Sequence, residues 1–326
     1  MKRSQYSPQA LKPFLVGVFN MQYTLYNAEQ NLDEAALREN TNFMIQKGIL
    51  AGRGVQIIGA QAGEGACLSD TEYRQLMDII VKETAGRVPI GVGCIRPTTH
   101  AVIELAQYAE GAGADFVLVM PPYYHPNLPC PVDLVYEHYQ ALARAVKIGI
   151  MVHNAPSATG QNLSIAMLNR LAEIEQIIAY KEDRQDFGGL REVVYRFKDR
   201  FMINANSYKA LIPLDYQFGL TGYNSFLGNV DPAYALRQHD LALSGDFQQC
   251  HEFWAKGLDL FTYLQGGSKY NMLELGKEMA RIAGRSMGSC ERFPLRRPGN
   301  AERMKLRRLM EQAGMAVNSE LLNNSL

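Results

Sequence analysis

The stretch TTHAVIELAQYAEGAGADFVLVM, residues 98–120, contains one full unit of the pattern that decides the fold. An amphipathic segment of helical length, 98–110, leads through a glycine-containing turn into a short apolar run, 116–120. The same alternation recurs along the chain at intervals of roughly 20 to 40 residues. Helix-length segments that alternate with short buried strands are typical of βα units in a parallel sheet.

Eight such units are predicted. The strand candidates are short apolar runs rich in β-branched residues, at 15–19, 55–58, 89–93, 116–120, 149–153, 177–181, 201–204 and 222–226. The helix candidates between them are amphipathic, at 33–46, 70–84, 98–110, 132–145, 164–172, 188–197, 208–217 and from 232 onward. Eight units favour an α/β fold with a closed (β/α)8 TIM barrel over an open doubly wound sheet. No GxGxxG segment follows the first strand.

The pattern changes after the eighth unit. Helical periodicity continues there without strands, at 247–264, 272–283 and 301–313. We therefore predict a barrel catalytic domain over residues 1–240 and a C-terminal helical subdomain over residues 241–326. The helical extension is also a candidate element for oligomerisation.

Composition argues against several classes of protein. The 33 basic and 33 acidic residues balance, so the chain has no broad footprint for nucleic acid. No apolar run approaches the roughly 18 residues of a membrane span, and the N-terminus lacks a signal-peptide core, so we expect a soluble cytoplasmic protein without a membrane partner. Five scattered cysteines without a CxxC pair and six unclustered histidines favour reduced thiols and no metal site.

In a barrel of this kind, the site forms at the C-terminal ends of the strands and in the loops that follow them. That rule selects a set of polar and loop residues, which are Gln61, Ala62, Gly63, Glu64, Arg96, Tyr123, Tyr124, His153, Asn154, Lys181, Asn204, Asn206 and Ser225.

Five segments resemble, in order, landmarks of the dihydrodipicolinate synthase and N-acetylneuraminate lyase family. They are GAQAGEGACLS (59–69), GRVPIGVG (86–93), AEGAGADFVLVMPPYYHP (109–126), HNAPSATGQNLS (153–164) and AYKED (179–183). The resemblance covers about residues 14–235. It implies a class I aldolase-type lyase in which a lysine forms a Schiff base with a 2-keto acid such as pyruvate, so that no cofactor is needed.

The resemblance makes Lys181 the Schiff-base lysine at the end of the sixth strand. The apolar residues 177–179 precede it, and apolar surroundings disfavour the charged form of an amine. A neutral amine is a nucleophile toward a keto carbonyl. The charged residues 182–184 that follow would by themselves indicate a surface lysine at the start of a loop.

Two other features of the family carry over with changes, a loop and a strand-end residue. Gln61, Ala62 and Gly63 align with the family's Gly-Thr-Thr-Gly-Glu loop, whose backbone amides hold the keto acid's carboxylate. Glycine is retained, but both hydroxyls are lost, so the family's proton relay cannot run unchanged. His153 stands where the family usually has its catalytic tyrosine, and it is a candidate acid/base group or else a structural histidine.

The remaining site candidates concern the second substrate and the assembly. Tyr124 matches the family tyrosine that reaches into a neighbouring subunit, which implies a homo-oligomer, a dimer or a homotetramer; ordinary aromatic packing is the alternative. Arg96, Asn206 and Ser225 are candidate substrate-binding residues. Ala158 replaces the arginine that holds the second substrate's carboxylate in synthases, and that loss disfavours the synthase reaction.

We therefore predict a Schiff-base lyase acting on pyruvate or a 2-keto-3-deoxy sugar acid, with cleavage, condensation and dehydration all open. Three alternatives stand beside this prediction. They are a true 4-hydroxy-tetrahydrodipicolinate synthase, a non-catalytic keto-acid-binding or regulatory member of the family, and a metal-dependent lyase using His125, His138 or His153.

Overall fold

A computed structural model describes residues 6–123, 130–184, 186–205 and 211–319. Its centre is a sheet of eight parallel strands, which are β1 Gly17–Met21, β2 Gly54–Ile58, β3 Ile90–Gly93, β4 Phe116–Val119, β5 Gly149–Asn154, β6 Ile177–Glu182, β7 Met202–Ala205 and β8 Gly222–Ser225. Each predicted strand overlaps one of these eight.

The sheet closes on itself in the order β1 to β8. The last strand pairs with the first, with Gly17 opposite Gly222 and Asn20 opposite Ser225. The predicted (β/α)8 barrel is confirmed. The open sheet is excluded, because β1 and β8 would then be unpaired edges.

The helices lie around and beyond the barrel, and the structure describes α1 Pro8–Leu11, α2 Glu34–Gln46, α3 Asp70–Thr84, α4 Thr99–Ala112, α5 Val132–Ala145, α6 Pro156–Thr159, α7 Ile165–Leu171, α8 Phe187–Phe197, α9 Ile212–Gln217, α10 Pro232–Ser244, α11 Phe247–Thr262, α12 Met272–Ile282 and α13 Asn300–Ala313. Local sequence explains where they begin. At α3, Ser69 Oγ accepts the N–H of Glu72, and Glu72 Oε2 accepts the N–H of Ser69 at 2.9 Å. This is the capping box that the sequence predicts.

The interior of the barrel is filled by a cluster of apolar side chains that is separate from the larger hydrophobic core. Phe19, Val55, Phe116 and Met151 are fully buried members of this interior cluster. Gly91 makes room for one of them, because a Cβ at that position would lie 2.3 Å from the Phe116 ring. Side chains alternate between the two faces of a strand, so the residue two places after an interior residue also points into the barrel, one step nearer its C-terminal mouth.

The C-terminal helices pack mainly on one another, with α13 in contact with both α11 and α12. Residues 274–282 of α12 are all buried, which makes it the central helix of this region. The predicted C-terminal helices are therefore present. The predicted boundary at residue 240 falls inside α10 and stays a prediction. No helix within the described ranges is long and apolar enough to cross a lipid bilayer.

Candidate active site

β5 and β6 place two of the predicted catalytic groups side by side. His153 and Lys181 are register partners in the parallel ladder, so their side chains share one face of the sheet. Both lie near the C-terminal ends of their strands, and they are only 1% and 5% exposed. The barrel thus holds a lysine and a histidine together in a nearly water-free position.

Asp183 completes a triangle with these two residues. The Nζ of Lys181 lies 2.5 and 2.6 Å from the two carboxylate oxygens of Asp183. The same Nζ is 2.7 Å from Nε2 of His153, and that nitrogen is 2.7 Å from Oδ2 of Asp183. All three groups are therefore close enough for direct proton transfer.

His153 presents one ring nitrogen to two neighbours. When Nε2 carries a proton, it donates to Asp183; when it does not, it accepts from the amine of Lys181. Nε2 cannot make both hydrogen bonds at once, so gaining or losing its proton changes whether the ring is bonded to Asp183 or to Lys181. Nδ1 is buried and has no hydrogen-bond partner among the described residues.

Burial has the largest effect on protonation of Lys181 and His153. It lowers the pKa of Lys181, and the Asp183 carboxylate opposes this shift. Burial and the charge of Lys181 lower the pKa of His153, again against Asp183. Burial would raise the pKa of Asp183, but Lys181 and His153 together hold it well below its usual range. Asp183 is therefore the constant anion of the site, and the lysine and histidine compete for a proton beside it.

Two asparagines extend the polar wall of the barrel mouth. Asn204 on β7 is the register partner of Lys181, so both side chains project from the same face. Asn224 Nδ2 donates to Asn204 Oδ1 at 3.0 Å. Asn204 Nδ2 is buried, and no hydrogen-bond partner for it occurs in the part of the chain that the structure describes. Beside Lys181 there is thus an amide donor that a ligand could use.

The loop after β2 forms a short 3₁₀ turn, Gln61–Gly63. Gln61 and Ala62 are its first residues, and the first amides of a helical turn have no acceptor within it. The N–H of Gly63 donates to the carbonyl of Ala60 at 2.9 Å, and its own carbonyl accepts from Thr24 Oγ1 at 2.6 Å. The loop is fixed at Gly63, while the two preceding amides lack an internal partner.

Glu64 connects this loop to the C-terminal helices. Its carboxylate is in direct contact with the ammonium group of Lys277 on α12, and both side chains are buried. Burial raises the pKa of Glu64, and the charge of Lys277 opposes the shift. The backbone of Glu64 is left-handed, with φ 58°, so the turn that carries it is sharply bent. The ion pair therefore anchors the predicted carboxylate-binding loop to α12.

Arg96 and Arg184 are the two cations near strand ends that could bind an acidic substrate, and both already have carboxylate partners. Arg96 lies 3.1 Å from Asp70 and stacks over the ring of Tyr73, 5.0 Å from its centroid. Arg184 donates from Nε to the buried Glu182 at 3.0 Å. A further carboxylate would have to compete with these internal ones.

The other predicted residues have different outcomes. Ser225 Oγ accepts the N–H of Leu227 at 3.1 Å, so it stabilises the turn after β8. Tyr124 and Asn206 lie outside the described residues, as does His125. Across the described ranges, no group of three or more His, Cys, Asp or Glu side chains is arranged to hold a metal ion.

Asp183 was absent from the predicted site. The charged run 182–184 suggested exposure, because consecutive charged residues are usually solvated. The sequence nevertheless contained a signal for Asp183, since a residue two places after Lys181 in an extended chain points to the same side as the lysine. Asn204 was recognised as a strand-end residue, and only the register with Lys181 shows its closeness to the amine.

Comparison with known proteins adds an independent line of argument. The model of the dihydrodipicolinate synthetase family matches residues 15–313. A 4-hydroxy-tetrahydrodipicolinate synthase from Methanothermobacter thermautotrophicus is 34% identical over 275 residues, which cover 83% of this chain and 93% of the relative.

Solved structures agree with that match. Dihydrodipicolinate synthase from Aquifex aeolicus superimposes with a TM-score of 0.81 at 26% identity, over 94% of this chain and 100% of that one. A prophage protein of the dihydrodipicolinic acid synthase family from E. coli K12, solved in complex with pyruvate, has a TM-score of 0.82 over 92% of this chain and 99% of that one. At 21% identity, this second likeness shows the fold alone.

The matched range includes every strand of the barrel and the C-terminal helices α11, α12 and α13. Members of the matched family are Schiff-base lyases that act on pyruvate, and a buried lysine at the end of β6 is the group such chemistry requires. The predicted class of enzyme is therefore confirmed at the level of the family. This chain belongs to the dihydrodipicolinate synthetase family.

Proposed function

We propose that Lys181 forms a Schiff base with pyruvate or a 2-keto-3-deoxy sugar acid, and that the chain catalyses a lyase reaction through this adduct. The observation that carries the proposal is the contact of the buried Lys181 amine with both His153 and Asp183. His153 can take a proton from the amine and later return one to the substrate, while Asp183 keeps a negative charge beside the nitrogen.

The amine attacks only in its neutral form. Lys181 first passes a proton to His153, whose lowered pKa leaves the ring free to accept it. The free amine then adds to the keto carbon and forms a carbinolamine. The imidazolium returns its proton to the new hydroxyl, which leaves as water. An iminium ion remains, and its positive charge lies beside Asp183.

The iminium ion accepts the electrons of the next bond to break. In an aldol cleavage, a base removes the proton of the β-hydroxyl, the carbon–carbon bond breaks, and an aldehyde leaves an enamine behind. In a dehydration, a base removes a proton from the carbon next to the iminium, and the β-hydroxyl leaves as water. Either route needs one group that both accepts and donates protons, and His153 is the candidate.

The keto acid's carboxylate is proposed to bind at the turn Gln61–Gly63, through the backbone amides of Gln61 and Ala62, while the amide of Gly63 holds the turn by its bond to the carbonyl of Ala60. Consecutive backbone amides in a turn form an anion-binding concavity. The contact of Thr24 with the Gly63 carbonyl and the pair between Glu64 and Lys277 support this proposal, because they hold the turn in place.

For the far end of the substrate, we favour hydroxyl groups over a second carboxylate. Ala158 offers no charge where the resemblance places an arginine, and Arg96 and Arg184 are already paired. The amide of Asn204 can bond a hydroxyl, and Asn206 and Ser225 stay candidates for the same role. Arg96 also stays a candidate for binding substrate, since a guanidinium group has donors beyond those it gives to Asp70.

A 4-hydroxy-tetrahydrodipicolinate synthase is the second candidate, because the relative from Methanothermobacter thermautotrophicus bears that name. A non-catalytic keto-acid-binding protein is the third.

We also propose a homodimer or homotetramer in which Tyr124 reaches the neighbouring subunit's site. Mass photometry of the full chain tests the assembly, and a monomer at working concentration would contradict it.

Borohydride trapping tests the central step. The chain is incubated with pyruvate or with 2-keto-3-deoxy sugar acids, reduced, digested and mapped by mass spectrometry. We expect an adduct on the peptide that contains Lys181, its loss in Lys181→Met, and its retention in Lys198→Met, which removes an exposed lysine instead. Folded protein without any adduct contradicts the proposal.

Turnover separates the three functions. Cleavage or dehydration of a sugar acid supports the proposal, whereas condensation of pyruvate with an acidic amino aldehyde would support the synthase. An adduct that is followed by no turnover would support the binding protein.

A further inference from the structure

A separate cavity of about 320 Å³ lies among the C-terminal helices. Four arginines line it, namely Arg281 on α12, Arg285 and Arg297 on the segments that follow it, and Arg303 on α13. None of its lining residues is shared with the site around Lys181. The cavity therefore needs its own explanation.

A single carboxylate partners three of these arginines. Glu278 lies 3.2 Å from Arg281, 3.4 Å from Arg297 and 3.2 Å from Arg303. Glu291 adds a second carboxylate, but among the described residues it pairs with Arg281 alone, at 2.7 and 3.1 Å. Arg297 and Arg303 must therefore share the buried Glu278 with Arg281, and both keep donors that this carboxylate does not use.

The positive charge of Arg285 is less well compensated than the charges of the other three arginines. No carboxylate of the described chain lies within ion-pair distance of it, and its closest polar contact is Asn40 Oδ1 at 3.5 Å. Its guanidinium group packs over the ring of Phe43, and its Nε is buried without a hydrogen-bond partner among the described residues. Burial lowers the pKa of Arg285 to about 10, against the more distant charge of Glu39. A partly buried cation of this kind is costly unless an anion compensates it.

We propose that this cavity binds a small oxyanion through a phosphate or carboxylate group. Guanidinium groups recognise both kinds of anion with paired, charge-assisted hydrogen bonds. Among the described residues, three carboxylates offset the four arginines: Glu278 and Glu291 form ion pairs with them, and Glu39 acts on Arg285 from farther away. One positive charge therefore remains uncompensated. The cavity also lies within the range of roughly 300 to 1,000 Å³ that is usual for small-molecule sites.

Calorimetric titration of the full chain with inorganic phosphate, and separately with citrate, tests this inference at low ionic strength. We expect saturable binding of at least one anion, weakened at least about tenfold in Arg285→Met and in Arg303→Gln. The control is Arg308→Gln, which removes an exposed arginine from the same helix but not from the cavity wall, and should leave affinity unchanged. The ranking of the two anions shows whether the natural ligand carries a phosphate or a carboxylate.

A gain of binding provides the second test. Glu278→Gln removes the carboxylate that three arginines share, so phosphate should raise the Tm of this variant by more than it raises the Tm of the unchanged chain. No saturable binding of either anion to the unchanged chain would overturn the proposal. Binding that persists in both Arg285→Met and Arg303→Gln would also overturn it, because the anion would then occupy another site.

Discussion

Asp183 holds the amine of Lys181 with both carboxylate oxygens, at 2.5 and 2.6 Å. The carboxylate and burial act on that amine in opposite directions, since burial lowers its pKa and Asp183 opposes the shift. His153 contacts both groups, so each step that moves a proton from the lysine has a receiver in place. Under the proposed function, this triangle is what allows a buried lysine to lose its proton and react.

Asp183→Asn keeps the shape of the side chain and removes its charge. Because Asp183 raises the pKa of Lys181, its loss should lower that pKa further, and the pH midpoint of adduct formation should move down. Turnover should fall about 10²- to 10³-fold, because the iminium ion loses the anion that stabilises its positive charge. Rates of borohydride trapping across pH measure the midpoint. Asp186→Asn, at an exposed position, is the control, and an unchanged midpoint in Asp183→Asn would count against the triangle.

His153→Asn removes the imidazole and leaves a polar side chain. We expect kcat to fall about 10²- to 10⁴-fold, while KM changes little, because in the proposed function the ring moves protons and the loop at 61–63 binds substrate. The pH profile should also lose the rise in rate that accompanies deprotonation of the ring. The control is His138→Asn, which removes another buried histidine, bonded to Thr99. A variant that kept full kcat would assign His153 a structural role.

The buried pair between Glu64 and Lys277 should appear in stability measurements. Either Glu64→Gln or Lys277→Met leaves a buried group without its partner and should lower the free energy of unfolding by about 3–5 kcal/mol. The double variant should lose clearly less than the sum of the two single losses. Urea denaturation of the four proteins measures this coupling, and strict additivity would disprove it.

Gly91→Ala tests the packing of the barrel interior. The new methyl group would meet the Phe116 ring at 2.3 Å, so overpacking should cost about 1–3 kcal/mol. Phe116→Leu in the same chain should recover part of that loss by vacating the space. Gly111→Ala on α4 meets no atom within 4 Å and should not destabilise the chain, since alanine favours helix. Thermal unfolding compares the variants, and equal Tm values for Gly91→Ala and Gly111→Ala would contradict this packing.

Hydrophobic periodicity was sufficient to find all eight strands, because a strand buried on both faces has a distinctive short apolar composition. The boundaries were less accurate. Residues 15–19 were predicted as the first strand, whereas β1 is Gly17–Met21. Leu15 instead packs with Leu11 in the interior cluster, so it is apolar without belonging to the sheet.

Local pattern and resemblance were also enough to assign the family, since motif order is a property of the chain alone. They put forward Lys181 and His153 as well, and the catalytic roles of these two residues stay predictions. The role of Asp183 and the closeness of Asn204 to Lys181 depended on the register of β5, β6 and β7. The partners of Arg96, Arg184 and Lys277, and the arginine cavity, depended on how helices distant in the chain pack together. Spacing along the chain can predict which face a side chain occupies, but only packing determines which opposite charge lies within hydrogen-bond distance of it.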